Sequence, residues 1–390
     1  MTKSIKNKND LAIHGGAPAY AQPVHVGRPN VGAVPAFKEK LEQILQARWF
    51  TNNGPMVQEL EARVASHLGV KHCVAMTNGT IALEIAIRAL ELKGEVIVPS
   101  YTFIATAHAL HWQEIVPVFA DINPATHNLD PVAVRKMITP RTSGIIGVHL
   151  WGRACPHQQL QEIADEHGLS LMYDAAHAFS CSHRGTMIGS LGNCEVLSFH
   201  ATKFFNSFEG GAVVTNDDKL AEKMRLMRNF GFAGYDNVIY VGTNGKMTEI
   251  AAAMGLANLD YIDTVIDTNR ANYHAYRKGI ATIPGLSLVA YDEGEKNNFQ
   301  YIVLEVGAGF RASRDDIVAA LQAENILARK YFWPGCHRMQ PYRDLYPHAG
   351  LMLPHSESVA ARVVVLPTGT DLPADLIETV LTILRILAVD

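Results

Sequence analysis

Cysteine is scarce and scattered. Cys73, Cys155, Cys181, Cys194 and Cys336 are odd in number and form no C-x-x-C pair, which excludes a regular disulfide framework, offers no zinc-ligand spacing and fits reduced core thiols, so no metal is expected. Long apolar runs are also missing. No stretch approaches the roughly 18 residues that a membrane span needs, and Arg385 interrupts the apolar C-terminal segment. Residues 1–10 carry Lys3, Lys6 and Lys8 but lead into Leu11-Ala12-Ile13-His14-Gly15-Gly16, which does not read as a signal peptide. Nor is there an excess of basic charge. The formal net charge of −4 argues against general nucleic-acid or membrane-surface binding, while leaving room for a local basic pocket. Small-molecule partners and a cytoplasmic location are the default expectation.

With 48% hydrophobic and 18% charged residues, the chain can bury a large core and does not resemble a disordered protein. Its 390 residues suggest one large α/β unit and a smaller second one. Pro55, followed by Met56, Val57, Leu60, Val64 and Leu68 and then Gly69, reads as an amphipathic helix with proline in its first turn and glycine past its end. Short β-rich runs at 73–76, 96–98, 116–119, 144–149, 169–173, 194–199 and 212–215 then alternate with helix-length segments. That alternation predicts a parallel or mixed sheet covered on both faces. Residues 221–229 continue as helix, a glycine-rich turn spans 231–245, and one long helix is expected from Thr248 through Ile266, linking two domains. Beyond Gly285, strands near 301–306 and 363–366 and helices at 314–324 and 373–387 suggest a small α+β domain. The expected division is 1–260, a large domain that includes the N-terminal segment, and 261–390, a small C-terminal one. No internal repeat or low-complexity tract is present.

Two positions carry the chemistry. The run 169–173 reads as a buried strand ending in Asp174-Ala175-Ala176-His177, where strands of an α/β sheet present ligands. Downstream, Ser198-Phe199-His200-Ala201-Thr202-Lys203 sets a lysine just past another apolar strand. An arbitrary lysine is a solvated surface residue, and an acid at a strand end is often a cap or turn residue. Here Phe204, Phe205 and Phe208 are expected to desolvate the amine and lower its pKa toward the nucleophilic form. A lysine paired with an acid suits pyridoxal 5'-phosphate, which needs an amine for its imine and a carboxylate that keeps its ring nitrogen protonated.

D-A-A-H, followed by S-F-H-x-T-K and the pair Gly210-Gly211, resembles the signature of the DegT/DnrJ/EryC1/StrS family of sugar aminotransferases. The likeness runs from about Gly27 to the C-terminus. It implies an α/β architecture of PLP fold type I, like aspartate aminotransferase, with a large mixed-sheet domain, a smaller C-terminal α+β domain and a homodimer whose sites lie at the subunit boundary. It also implies that Lys203 is the catalytic Schiff-base lysine, that Asp174 pairs with the pyridinium nitrogen and that His177 lies close to the ring. Thr77-Asn78-Gly79-Thr80-Ile81-Ala82-Leu83 matches the family's phosphate loop, which assigns Gly79 and Thr80, with Ser198 as a hydroxyl donor. Pro99-Ser100-Tyr101-Thr102-Phe103 matches a stretch whose aromatic stacks on the pyridine, here Phe103, and Asn229 matches an asparagine that reaches the phosphate from the other subunit. Read alone, His177 could be a satisfied core histidine, Phe103 an ordinary core ring and Asn229 a helix ending.

Residues 49–55 and 330–337 resemble the family's sugar-nucleotide edges or could pack at a dimer interface, and Arg28, Lys246 and Arg329 are candidates for a diphosphate or carboxylate. The motif variant 204–211, with Val148-His149-Leu150-Trp151-Gly152-Arg153, looks most like the branch that aminates C4 of a dTDP-4-keto-6-deoxyhexose. The expected reaction moves an amino group from L-glutamate to a nucleotide-linked keto sugar, giving dTDP-4-amino-4,6-dideoxyglucose for an O-antigen or a glycosylated metabolite. The alternatives are a C3, GDP-sugar or cyclitol aminotransferase and a cofactor-free regulatory relative.

Overall fold

A computed structural model describes residues 3 and 5–389. The extreme ends of the two expected domains, residues 1, 2 and 390, and Ser4 within the expected N-terminal segment lie outside the described residues. A seven-stranded sheet forms the centre, in the spatial order His72–Met76, Gly211–Thr215, Cys194–Ser198, Ser170–Asp174, Thr142–Val148, Glu95–Pro99 and Val116–Ala120. All pairings are parallel except those of Gly211–Thr215, which runs against both neighbours. Successive side chains of a strand point to opposite faces, and the sequence uses both. Cys73 and Ala75 enter one core with Ala212, Val214, Leu197 and Phe199, while Val74 and Met76 enter the opposite core with Val213, Cys194 and Val196. Apolar residues on both faces explain why these strands read as continuous runs rather than alternating ones.

Helix Pro55–Leu68 covers the first face with Glu249–Leu259, and Gly79–Ala89, Ala105–His111 and Asp218–Met227 cover the second. The start of Pro55–Leu68 is capped from a distance: buried Glu249 accepts the N–H groups of Met56 and Val57 at 2.8 and 3.1 Å. The single long helix expected from Thr248 is in fact two, Glu249–Leu259 and Ile262–Ile280. They break where the Tyr261 N–H turns back to the Asn258 carbonyl at 3.1 Å. Leu256, Leu259, Ile262 and Val265 all enter the same core, so the apolar period runs unbroken through a chain that is not continuous helix.

The C-terminal part builds an antiparallel sheet of Leu286–Leu288, Ile302–Val306 and Val363–Leu366, packed on helices Ile262–Ile280, Arg314–Ala323 and Leu376–Val389. Residues 11–25 of the N-terminal segment pack on this layer, while Asn30 and Gly32 bond to the large one. Val24–His25 pairs in parallel with Ile326–Leu327, Leu11 and Val24 enter the same core, and buried Glu324 accepts the Ala12 and Ala19 N–H groups at 2.6 and 2.7 Å. All five cysteines are buried and unpaired. Among the described residues no helix is long and apolar enough to cross a membrane.

Candidate active site

A cavity of about 480 Å³ opens at the C-terminal ends of Thr142–Val148, Ser170–Asp174 and Cys194–Ser198, beside the first turn of Gly79–Ala89. In open α/β sheets this end of the strands is where ligands bind. Gly79, Thr80, Phe103, Asp174, His177, Ser198 and Lys203, separated by up to 124 positions in sequence, all line it. Asn229 does not.

Lys203 stands on the turn after Cys194–Ser198, its N–H donated to the His200 carbonyl at 2.9 Å. Burial pushes its amine down to about 8, against an opposing pull from the Asp174 charge. The three phenylalanines expected to shield it do not line the cavity. Phe204 and Phe205 turn into the core beneath the loop, and Phe208 is exposed against Phe37. These rings therefore do not form the cavity wall around the amine.

Asp174 is buried, with one carboxylate oxygen accepting from Thr106 Oγ1 at 2.8 Å and the other from the Ala176 N–H at 3.1 Å. Each oxygen keeps acceptor capacity for a donor in the cavity. His177 receives the Trp151 N–H on Nδ1 at 3.3 Å, which leaves its ring proton on Nε2. Its ring stacks on Trp151 and Phe332, with centroids 5.9 and 6.0 Å away. Burial, with a smaller contribution from the Lys203 charge, holds its pKa well below the usual imidazole value, so it is neutral. Trp151 is fixed in turn: Nε1–H donates to His127 Nδ1 at 3.1 Å, and His127 Nε2 meets Glu305 at 3.1 Å.

The first turn of Gly79–Ala89 offers open donors to an anion. Asn78 caps the Ile81 N–H at 2.9 Å, so the Gly79 and Thr80 amides, which have no intrahelical acceptor, remain as donors at the cavity wall. One close approach demands glycine, and a second is tight. A Cβ on Gly211 would lie 2.6 Å from the Asn78 carbonyl carbon and the Gly79 nitrogen, and one on Gly79 would lie 3.2 Å from Ser198 Cβ. Phe103 is 58% exposed, which rules out the reading as an ordinary core ring.

Other expected contacts lie elsewhere. Arg28 pairs with Asp371 at 3.0 Å, the Lys246 amine sits over Phe230, the Arg329 guanidinium lies over Tyr331, and Trp49 and Phe50 are exposed; none of the five lines the cavity. From 330–337 only Tyr331 and Phe332 do. Sequence reasoning did not find Thr106, Trp151 as a partner of His177, or Tyr301, which lines the wall contributed by the C-terminal layer. Thr106 lies three residues past Phe103 in sequence.

The donor set fits pyridoxal phosphate: an amine of lowered pKa, a buried carboxylate with spare acceptor capacity, a helix start with open amides and an exposed aromatic on one rim. Comparison with known proteins agrees. A model of the DegT/DnrJ/EryC1/StrS aminotransferase family matches residues 34–385. A dTDP-4-amino-4,6-dideoxy-D-glucose transaminase from Shigella dysenteriae is 39% identical over 93% of this chain and 99% of its own. A GDP-perosamine synthase from Caulobacter vibrioides is 36% identical over 78% of this chain and 83% of its own. The crystal structure of DesI in the presence of its TDP-sugar product superposes with a TM-score of 0.93 at 50% identity, covering 97% of this chain and 96% of that one.

Proposed function

Because this chain belongs to the DegT/DnrJ/EryC1/StrS aminotransferase family, a pyridoxal-phosphate-dependent family, we propose that it transfers an amino group from L-glutamate to C4 of dTDP-4-keto-6-deoxyglucose, giving dTDP-4-amino-4,6-dideoxyglucose. The observation that carries the reading is the meeting of Lys203, Asp174 and the open helix start at Gly79 around one cavity. Likeness to the Shigella transaminase and to DesI supports the dTDP sugar and the C4 position. The 36% identical GDP-perosamine synthase supports a second reading, a GDP-linked sugar. In either case the product belongs to deoxyamino sugar biosynthesis, for an O-antigen or a glycosylated metabolite, in the cytoplasm.

Bound here, pyridoxal phosphate supplies the electron sink that lets an amino group pass between two carbonyl carbons. Lys203 is the residue that would bond it, and its amine, neutral above about pH 8, is the base at the reacting carbon. Asp174, held by Thr106 and the Ala176 N–H, would keep a proton on the ring nitrogen. Gly79, Thr80 and Ser198 would take the phosphate, and Phe103 would cover one face of the ring. His177, neutral and with its proton on Nε2, would contribute a hydrogen bond without a competing charge.

The working unit in this reading is a homodimer, with Asn229 acting in the partner's site. The exposed arm around Asn229 supports it: Phe230, Phe232, Tyr235, Val238, Ile239 and Val241 are all 39% exposed or more, an apolar patch of the kind that a second copy covers. The test is direct. Protein loaded with pyridoxal phosphate should be yellow and bleach with L-glutamate, and the bleached form should then aminate dTDP-4-keto-6-deoxyglucose faster than C3-keto or GDP-linked sugars. Bleaching with a GDP sugar as the better acceptor would select the second reading, and a colourless protein would contradict both.

A further inference from the structure

A strap formed by residues 24–32 runs along the back of the Lys203 loop. Val24–His25 pairs with Ile326–Leu327, the strand leading toward Tyr331 and Phe332 on the cavity wall, and Val26 enters the same core as Phe332. Gly27 lies so close to the loop that a Cβ there would stand 3.0 Å from Thr202 Cβ and 3.1 Å from the Thr202 carbonyl. Asn30 follows, buried although polar.

Asn30 grips the loop from both sides of its polar inventory. Its Nδ2 donates to the Phe204 carbonyl at 3.1 Å, and its own carbonyl accepts from Asn206 Nδ2 at 2.8 Å. Its Oδ1 accepts from the Thr370 N–H at 3.2 Å and the Thr370 hydroxyl at 2.9 Å. The orientation of the amide is forced, because turning it over would set its donors against the Thr370 N–H and its oxygen against the Phe204 carbonyl. The network continues: Asn258 Nδ2 donates to the Asn206 carbonyl at 2.8 Å, and Asn258 Oδ1 accepts the Gly32 N–H at 2.8 Å. The residues that follow Lys203 are thus hydrogen-bonded to one strap, Thr202 before it lies against Gly27, and the strap is tied to Thr370 in the C-terminal layer. Only an amide offers a donor and a two-fold acceptor in this arrangement. Aspartate would face the Phe204 carbonyl with a second acceptor, and alanine would leave buried groups unpaired.

We infer that Asn30 is a positioning residue for Lys203, holding the lysine loop against the cavity and coupling it to segment 368–371 of the C-terminal layer. The inference rests on the assignment of Lys203 above. A reacting group displaced by about an ångström loses on the order of a hundredfold in rate, so a loop tether can act without touching substrate. Loosening the loop would also admit water to the amine and raise its pKa from about 8 toward its ordinary value.

The test follows Asn30→Ala, Asn30→Asp, Thr370→Val and the Asn30→Ala/Thr370→Val double variant. The pH dependence of pyridoxal phosphate uptake by the apo-protein is measured beside kcat, KM for glutamate and thermal stability. The expected result is an uptake midpoint raised by about one unit, a tenfold change in the amine's proton affinity, in both Asn30 variants. We also expect kcat reduced on the order of tenfold or more with KM for glutamate changed less than about twofold. Thr370→Val should shift the midpoint in the same direction by less, and the double variant should be no worse than Asn30→Ala, as for members of one network. An Asn30 variant of lowered stability with wild-type midpoint and kcat overturns the inference. If Asn30→Ala does not fold, Thr370→Val decides, and an unchanged midpoint there overturns it. Lys203→Ala separates this from the reading of the site. If borohydride leaves no pyridoxyl label on that variant while the Asn30 variants behave as wild type, only the tether fails; if the variant is still labelled on another lysine as the wild type is, the assignment of Lys203 fails.

Discussion

At the scale of single residues, the site depends on two groups with opposite electrostatic surroundings. Lys203 is buried enough to lower its pKa to about 8, so only the fraction of protein with a neutral amine can react with an aldehyde. The rate of pyridoxal phosphate uptake should therefore fall about tenfold for each unit below pH 8 and level off above it, read by absorbance in a stopped-flow series. A profile still rising as far as pH 10 would mean that the amine is solvated. Asp174 is the converse case, a carboxylate kept in a buried place by the Thr106 hydroxyl and the Ala176 N–H. Asp174→Asn removes the charge but keeps the shape. Breaking a buried ion pair costs about 3 to 5 kcal/mol, so cofactor affinity should fall by two or more orders of magnitude, measured by dialysis and titration. Asp174, at a strand end, and Lys203, on the turn after strand Cys194–Ser198, were legible in the sequence as candidates because both fall in compact motifs. The binding of Thr106 to Asp174 across 68 positions was not, since it depends on where a separate helix begins. Nor was the placement of Phe204, Phe205 and Phe208 outside the cavity, because adjacency in sequence does not say which face of a loop a ring takes.

At the scale of elements, the proposed phosphate cradle is a packing problem as much as an electrostatic one. The helix Gly79–Ala89 can start where it does only because Gly211, on the one reversed strand of the sheet, presents no side chain to Asn78 and Gly79. Gly211→Ala should push the helix start away from Ser198 and lower cofactor affinity on the order of tenfold or more, while peptide mapping still finds Lys203 reactive. An affinity equal to wild type would remove the close approach from the account. All seven strands of the main sheet were legible to within two residues at either end, because runs buried on both faces are short, apolar and spaced by helices. The break at 260–261 was not, because helices on both sides of it bury the same stripe. Helix Val34–Ala47 and strand Leu286–Leu288 were also missed, the first with a single fully buried residue, Ile44, and the second only three residues long.

At the scale of the whole molecule, the chain closes on itself through contacts that no local pattern announces. Val24 pairs with Ile326, and the buried Glu324 carboxylate takes the amides of Ala12 and Ala19. The arm around 229–245 raises the opposite question, since it leaves the body with Tyr235 wholly exposed and Val241 75% exposed. If a second copy covers this arm, Tyr235→Lys with Val241→Lys should convert the dimer to a monomer in sedimentation velocity and remove most activity, without lowering the thermal stability of the isolated chain. Wild-type protein that sediments as an active monomer would contradict the homodimer.

The central claim is the identity of the amine that bonds the cofactor, and borohydride reduction of the pyridoxal-phosphate-loaded protein followed by mass mapping of its peptides tests it most directly. The account predicts one stable pyridoxyl group, on Lys203, absent from Lys203→Arg. A label on another lysine, or none on protein that has bound the cofactor, would contradict it.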